Sequence, residues 1–371
     1  MPAAPCGRRR RPDSFARQGA QGLRNPSKIL LVGCGHMAHS YAAAISLHPG
    51  MQLLAVVDEN PAAARAFGAV FDCPHYASLG DCLRWGGPDI SVVCAPPARH
   101  PEILQKLARP GTGILFESPL APDPDGARNM AGIAGALGVR LMAGSRFRYA
   151  ADVAGAREWI RSGNLGRVLV FEIDFREPPV SEGHEGFRGG GALPGGAHAL
   201  DIARYLFGPL LRIRAEESAG CHLHGGDAVQ LDLHTRSGLI GTARLCRTAK
   251  SARHDYVRIY GSRGTLSIGW RRSACRLMGE DGWARFGEGT STLDAIARQL
   301  EDLSAAVAGQ GTPRTTAADG CETVRALEAA RHSLETGEWV RLDTAQEAPS
   351  TRPVERNFTV LHPLIRASAG G

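Results

Sequence analysis

Residues 33–38 of this 371-residue chain read Gly-Cys-Gly-His-Met-Ala, directly after the apolar run 28–32. A Gly-x-Gly-x-x-Ala turn between a strand and a helix has a definite physical use. Gly33 permits the tight turn, Gly35 lets the backbone approach a pyrophosphate, and the small Ala38 lets helix and strand pack closely. The backbone N–H groups of His36 and Met37, at the helix start, would then face the phosphates. Asp58 ends a second apolar run, where a carboxylate accepts hydrogen bonds from the adenosine ribose and repels a 2′-phosphate. Glu59 adds to that repulsion. The expected cofactor is NAD rather than NADP, and the plainer reading is a Rossmann-like sheet with a merely structural glycine turn.

Proton transfer needs a group that titrates near neutrality. His198 follows the glycine-rich stretches Gly189–Gly191 and Gly195–Gly196, which would let the backbone bring it against a ligand. Its ordinary pKa, about 6.5, suits general acid or base work; capping a helix is the alternative role. Lysine is scarce, with only Lys28, Lys106 and Lys250. Lys28 starts the first strand and Lys106 sits on a helix expected to cover the sheet. Lys250 falls on a loop facing either the cleft or solvent. Arginine is no substitute, because its pKa stays too high to cycle as a base. Arg146, Arg148, Arg188 and Tyr149 are candidate contacts to a carboxylate, a phosphate or an electron-rich ring, with surface ion pairs as the alternative. His222 and His224 would share one strand face, but no further donor is evident and no metal is expected.

These residues need a scaffold, and the patterning supplies one. Apolar runs at 28–32, 52–57, 89–94, 113–116 and 139–143 alternate with helix-like stretches at 37–47, 61–67, 98–108 and 124–137. That rhythm implies parallel β-α-β units with both sheet faces covered. A helix over 150–162 follows, and then period-2 segments at 167–176, 228–234, 238–247, 255–260 and 264–268. These predict a mostly antiparallel sheet with one wet face and a hairpin turn at Arg263-Gly264. Late helices at 292–309 and 317–336 are expected to pack back on the first domain. The predicted architecture is α/β plus α+β: a Rossmann domain over 28–145, then a domain over 146–345 built on a large open sheet. Residues 1–27 and 346–371 are expected to be a disordered basic tail and an irregular tail.

The net charge of +6 does not point to nucleic acid. Residues 1–28 carry seven cations against Asp13 alone, which accounts for the whole surplus. A solvated tail is the expected reading, with an anionic surface or nucleic acid as the alternative. No apolar stretch approaches the length of a spanning helix, and the tail has no apolar segment of an export signal. Nine cysteines without a Cys-x-x-Cys pair fit a reducing cytosol.

Between residues 28 and 343 the sequence resembles the glucose–fructose oxidoreductase / inositol dehydrogenase (Gfo/Idh/MocA) family. The likeness rests on LLVGCGHMA, VVCAPPARHPEIL, FESPLAPD and GGGALPGGAHALDIARYLFGP, in that order. It implies NAD-dependent hydride transfer on a small molecule, and homodimers or homotetramers formed through the second sheet. By resemblance, Cys94 and Pro96 pass beside the nicotinamide ribose, His100 lies near the cofactor, Glu117 lies against the nicotinamide, and Pro119 follows a cis bond. His198 and Asp201 occupy the family's His-x-x-Asp, Asp201 being a further expected substrate contact, and Arg146 and Arg188 match family arginines. Two positions depart from the pattern. Ser118 stands where the family has lysine in Glu-Lys-Pro, and Pro194 stands where an acid precedes the histidine. Neither replaces a proton-transfer group, which leaves His198, with Ser118 and Lys250 as candidate helpers. Reduction of an imine, ketone or enone is therefore expected over polyol oxidation. An NAD-binding regulator, or an enzyme using NAD without net redox change, remains open.

Overall fold

The computed structural model describes residues 26–84, 86–177, 195–218, 228–247 and 255–342. Its first sheet contains β1 (Ser27–Val32), β2 (Met51–Val57), β3 (His75–Tyr76), β4 (Ile90–Val93), β5 (Gly113–Glu117) and β6 (Arg140–Gly144). They pair in parallel in the order β3-β2-β1-β4-β5-β6. The strands are apolar along their length because both faces are covered; Ile29, Leu30 and Leu31 are all fully buried. Helices α1 (His36–Leu47), α2 (Pro61–Phe71), α3 (Leu79–Leu83), α4 (His100–Leu107) and α5 (Pro124–Ala136) connect them. Local capping fixes where two of these begin. Asn60 accepts from the N–H groups of Ala62 and Ala63, and Asp123 accepts from that of Gly126.

A 3-10 turn (Arg146–Tyr149) and α6 (Ala151–Arg161) lead to the second sheet. Its strands are β7 (Val168–Glu177), β8 (Leu210–Glu217), β9 (Ala228–Thr235), β10 (Ile240–Arg247), β11 (Asp255–Gly261), β12 (Gly264–Gly269), β13 (Ser273–Leu277), β14 (Ala284–Gly287) and β15 (Val340–Arg341). The order is β14-β13-β12-β11-β7-β10-β9-β8-β15. All neighbours are antiparallel except β7 and β10. Because β8 then runs the same way as β7, α7 (Gly196–Phe207) is a crossover helix, and the β9–β10 hairpin fills the gap between them. Phe171, Ile173, Leu231, Leu233 and Ile259 form the inner face, packed on α6 and α7. The β11–β12 hairpin turns through Ser262-Arg263, with Gly261 opposite Gly264. Strands β8, β13 and β14 fall outside the period-2 segments. Register shifts at Leu210/Arg212 and Ser273/Ala274 interrupt the alternation in the first two, and β14 is only four residues long.

Two late helices join the layers. α8 (Thr292–Val307) lies on the first sheet beside α1, where Ser27 and Ser304 share a 2.6 Å hydrogen bond and Gln299 donates to the Ala143 carbonyl at 3.4 Å. α9 (Ala317–Thr336) opens with a capping box formed by Thr316 and Asp319 and ends at left-handed Gly337. Its Val324 belongs to the core of the first domain, while Ala326, Ala329 and Ala330 belong to that of the second. Among the described residues, no helix is long and apolar enough to cross a membrane.

Gly320 is where α9 comes closest to the first domain. A Cβ there would lie 2.8 Å from Leu120 Cδ2 and 2.9 Å from Ala143 Cβ. Gly320→Val is expected to destabilise the protein by about 1–3 kcal/mol, although valine is the better helix former. Urea denaturation measures this, and unchanged stability would contradict the close approach.

Candidate active site

The carboxyl ends of β1, β2, β4 and β5 open onto a cleft of about 920 Å³, closed opposite by the start of α7. Gly33 stands at φ +97°, and a Cβ on it would touch the Cys94 backbone at 3.0 Å. Its N–H donates to Val57 O at 2.8 Å, tying the turn to β2. Gly35 caps α1 without a side chain, and no acidic residue occupies the first turn. A Cβ on Gly35 would meet nothing within 4 Å, so the space before the helix start belongs to the cleft. Asp58 Oδ2 accepts from Cys34 N at 2.7 Å and Oδ1 from Asn60 N at 2.8 Å. Each carboxylate oxygen keeps a further lone pair. A glycine turn, an uncapped helix start and an oriented carboxylate fit the phosphates and ribose of a dinucleotide. Burial, and then the charge of Asp58, push the Cys34 thiol up to about 12. Burial raises Cys94 as well, so both thiols are neutral wall rather than nucleophiles.

Glu117 lies at the other end, held from two sides. Tyr41 Oη donates to its Oε1 at 2.7 Å and Ser118 N to its Oε2 at 3.0 Å. Burial, then Glu117 itself, holds the Tyr41 pKa well above its ordinary value, so the phenol remains a donor. The Ser118–Pro119 peptide is cis; Ser118 lines the cleft while Pro119 is buried behind it. Arg146 Nη1 donates to His198 Nε2 at 3.0 Å. A guanidinium can only donate, so Nε2 is the acceptor and the imidazole proton sits on Nδ1. Burial, and next the Arg146 charge, hold the His198 pKa well below 6.5. Phe147 backs both groups: its ring lies edge-on to His198 at 5.2 Å, with the Arg146 guanidinium 4.7 Å from its centroid.

Thus Gly33, Gly35, His36, Met37, Asp58, Cys94, Pro96, Glu117, Ser118, Arg146 and His198 line one cleft. Other expected contacts lie elsewhere. His100 begins α4 but is fully buried, its ring nitrogens 2.9 Å from Leu120 O and Ala95 O, so it pins the cleft wall from behind. Tyr149 is not a substrate contact: its hydroxyl is buried between Asp302, at 2.7 Å, and Thr315, at 3.0 Å. Nor are Asp201 and Arg148, which form a buried pair at 2.6 Å, with Asp319 as the second partner of Arg148 at 3.0 Å. Lys106, expected on a covering helix, reaches the cleft at its Asp58 end. Arg188, Lys250, Pro194 and the Cys221–His224 run lie outside the described residues. Among the described residues, no cluster of three or more His, Cys, Asp or Glu could hold a metal. Sequence reasoning missed Tyr41, Gln299 and Arg99. A tyrosine on the buried face of the helix after the glycine turn, and a glutamine inside an apolar helical stripe, were the available signals for the first two.

Two family models match the chain. Residues 27–145 match an oxidoreductase family with an NAD-binding Rossmann fold, and residues 153–267 match the GFO/IDH/MocA C-terminal domain. Inositol 2-dehydrogenase of Rhizobium meliloti (strain 1021) is 25% identical over 321 residues, covering 82% of this chain and 96% of the relative. A dTDP-3,4-didehydro-2,6-dideoxy-alpha-D-glucose 3-reductase of Saccharopolyspora spinosa is 27% identical over 259 residues, covering 66% and 75%. The solved structure of levoglucosan dehydrogenase in complex with NADH and levoglucosan superposes with a TM-score of 0.77. It is 19% identical, with coverage of 86% of this chain and 100% of that one.

The two glycines separate folding from binding. Gly33→Ala places a side chain at positive φ against the Cys94 backbone and is expected to destabilise the protein by about 1–3 kcal/mol. Gly35→Val occupies extended backbone and empty space, so melting temperature should hold while NADH affinity falls by about an order of magnitude or more. Thermal melts and NADH fluorescence titration measure both; unchanged NADH affinity in Gly35→Val would sink the phosphate assignment.

Proposed function

This chain belongs to the GFO/IDH/MocA family of NAD-binding oxidoreductases, and from that premise we propose that it reduces a carbonyl or imine of a small polar metabolite. The observation that carries the reading is the Arg146–His198 pair on the cleft side opposite the glycine turn. NAD, when bound, supplies the hydride-carrying ring. Arg146 presents a fixed positive charge and N–H donors to the substrate atom that gains negative charge, the preorganised electrostatics that reduction requires. Neutral His198 orients Arg146 and shares its hydrogen bond. The proton that completes the product comes from water, because the lone pair of neutral His198 is engaged by Arg146 and a guanidinium does not release a proton. Glu117, anchored by Tyr41 and the Ser118 amide, places a carboxylate that favours a neighbouring positive ring.

Alcohol oxidation calls for a competent base. A histidine whose pKa is held far down, with its lone pair engaged by a guanidinium, is a weak one. The reductase among the relatives acts, by its name, on a keto-sugar nucleotide, and the dehydrogenases are named for a cyclitol and an anhydrosugar. Keto-sugars and keto-cyclitols are therefore the substrate class we favour. The outer face of the second sheet carries ion pairs such as Arg176–Asp174 and Arg214–Glu216. That pattern suits pairing with a second copy, and we propose a cytosolic homodimer or homotetramer on it.

The first test is NADH consumption with a panel of keto-sugars, keto-cyclitols and cyclic imines, run against NAD reduction by the matching alcohols. Faster reduction is expected, and Arg146→Met should lower it by about 10²–10³-fold. Tightly held NAD with no turnover on any member would favour a regulator.

A second test needs no substrate. His198, followed by NMR, should titrate below 6.5 and move up toward 6.5 in Arg146→Met, since one of the two causes of its depression is gone. Its folded pKa lies below its unfolded value, so its contribution to stability is full above pH 6.5 and is lost as pH falls through the folded pKa. A wild-type inflection at or above 6.5 would refute the arrangement.

A further inference from the structure

Beside Asp58 the cleft wall carries three more charges, those of Glu59, Arg99 and Lys106, and Glu102 behind them wires them together. Arg99 Nη1 donates to Glu59 Oε2 at 2.8 Å, and Nη2 donates to the other Glu59 oxygen. Arg99 Nε donates to Glu102 Oε2 at 3.2 Å, and Lys106 Nζ donates to Glu102 Oε1 at 2.6 Å. Glu59 follows β2 and Arg99 precedes α4, so the fork spans two separate strand-to-helix turns, and both residues line the cleft. An exposed ion pair of this kind adds little to stability. Its effect is on what the wall offers a ligand. A free guanidinium at this place would be a ready bidentate partner for a phosphate on the adenosine ribose. With both prongs on Glu59, it is not.

We propose that Glu59 sets the choice of dinucleotide by capturing Arg99, and not mainly by repelling a 2′-phosphate itself. The carboxylate whose charge should repel is already neutralised by the fork, while the cation that should attract is withdrawn. Asp58 keeps the ribose hydroxyls. Glu59 and Arg99 together act as a specificity lock on the 2′ position, and the lock rests on NAD occupying this cleft.

The test is a double-mutant comparison of binding, independent of any substrate. NADH and NADPH are titrated by fluorescence into the unaltered protein, Glu59→Ala, Arg99→Gln and the double variant, with thermal melts as a folding check. Glu59→Ala should lower the ratio of the NADPH Kd to the NADH Kd by about tenfold or more, the worth of one charge-assisted hydrogen bond. Adding Arg99→Gln should restore most of the original ratio. An equal fall in the single and double variants would mean that Glu59 acts through its own charge, which overturns the lock. So would an unmoved ratio in Glu59→Ala. Failure of the unaltered protein to bind NADH would overturn the site as a whole, whereas NADH binding with an unmoved ratio overturns the lock alone.

Discussion

A buried guanidinium holds the two halves of this molecule in register. Arg148, almost without solvent contact, donates to both oxygens of Asp201 through Nε and Nη2, and to Asp319 through Nη1. Burial works against its charge. Asp201 and then Asp319 more than offset this, leaving its pKa raised. A buried charge is tolerable only when its donors are matched in this way. The three partners come from the turn after β6, from α7 and from α9, so one side chain fixes the meeting of three elements. Two residues before Arg148 stands Arg146, and three before Asp201 stands His198. The hydrogen bond between that arginine and histidine is thus a consequence of the salt bridge behind it.

The first domain fixes its own groups by different means. Glu117 projects from the end of β5 and is gripped by the phenol of α1 and by the next backbone amide, while Gly144 leaves room for it: a Cβ there would lie 2.8 Å from Glu117 Cα. At this end the cleft therefore has a carboxylate from the first sheet on one side and, on the other, the Arg146 guanidinium bonded to neutral His198 of α7. Where the family pattern has lysine, Ser118 contributes its backbone N–H and no charge. On the proposed reading, the positive group that meets the substrate is an arginine that never gives up its proton, which would move the chemistry from proton transfer toward charge stabilisation.

Much of this was legible in the residues. Continuous apolar runs marked the parallel sheet because both of its faces are covered, and alternating runs marked the second sheet because one face is wet. Gly33 was readable because its positive φ and its approach to the Cys94 backbone demand glycine, and Gly35 and Asp58 because they follow β1 and β2 where a dinucleotide's phosphates and ribose call for a bare backbone and a carboxylate. Arg148, Tyr149 and Asp201 were misread for a common reason. Ion pairs inside a protein use the same side chains as substrate contacts, and spacing along a short 3-10 turn does not reveal which side chain faces the cavity. Arg146 and Arg148 are two apart and point to opposite fates. The role of Arg99 was hidden because its partner lies 40 positions away and only the fold brings them together.

The parallel pairing of β7 with β10 has a consequence for how such a protein can change. Since α7 is a crossover helix, its first turn must lie at the carboxyl end of a strand, as the first turn of α1 does after β1. The two domains thus face each other through the same kind of junction, one presenting the glycine turn and the other His198. Sequence drift at these junctions rewrites what is recognised. Drift at the opposite strand ends touches only the caps and cores. The molecule is divided into a face that can explore new ligands and a body that stays constant while it does so.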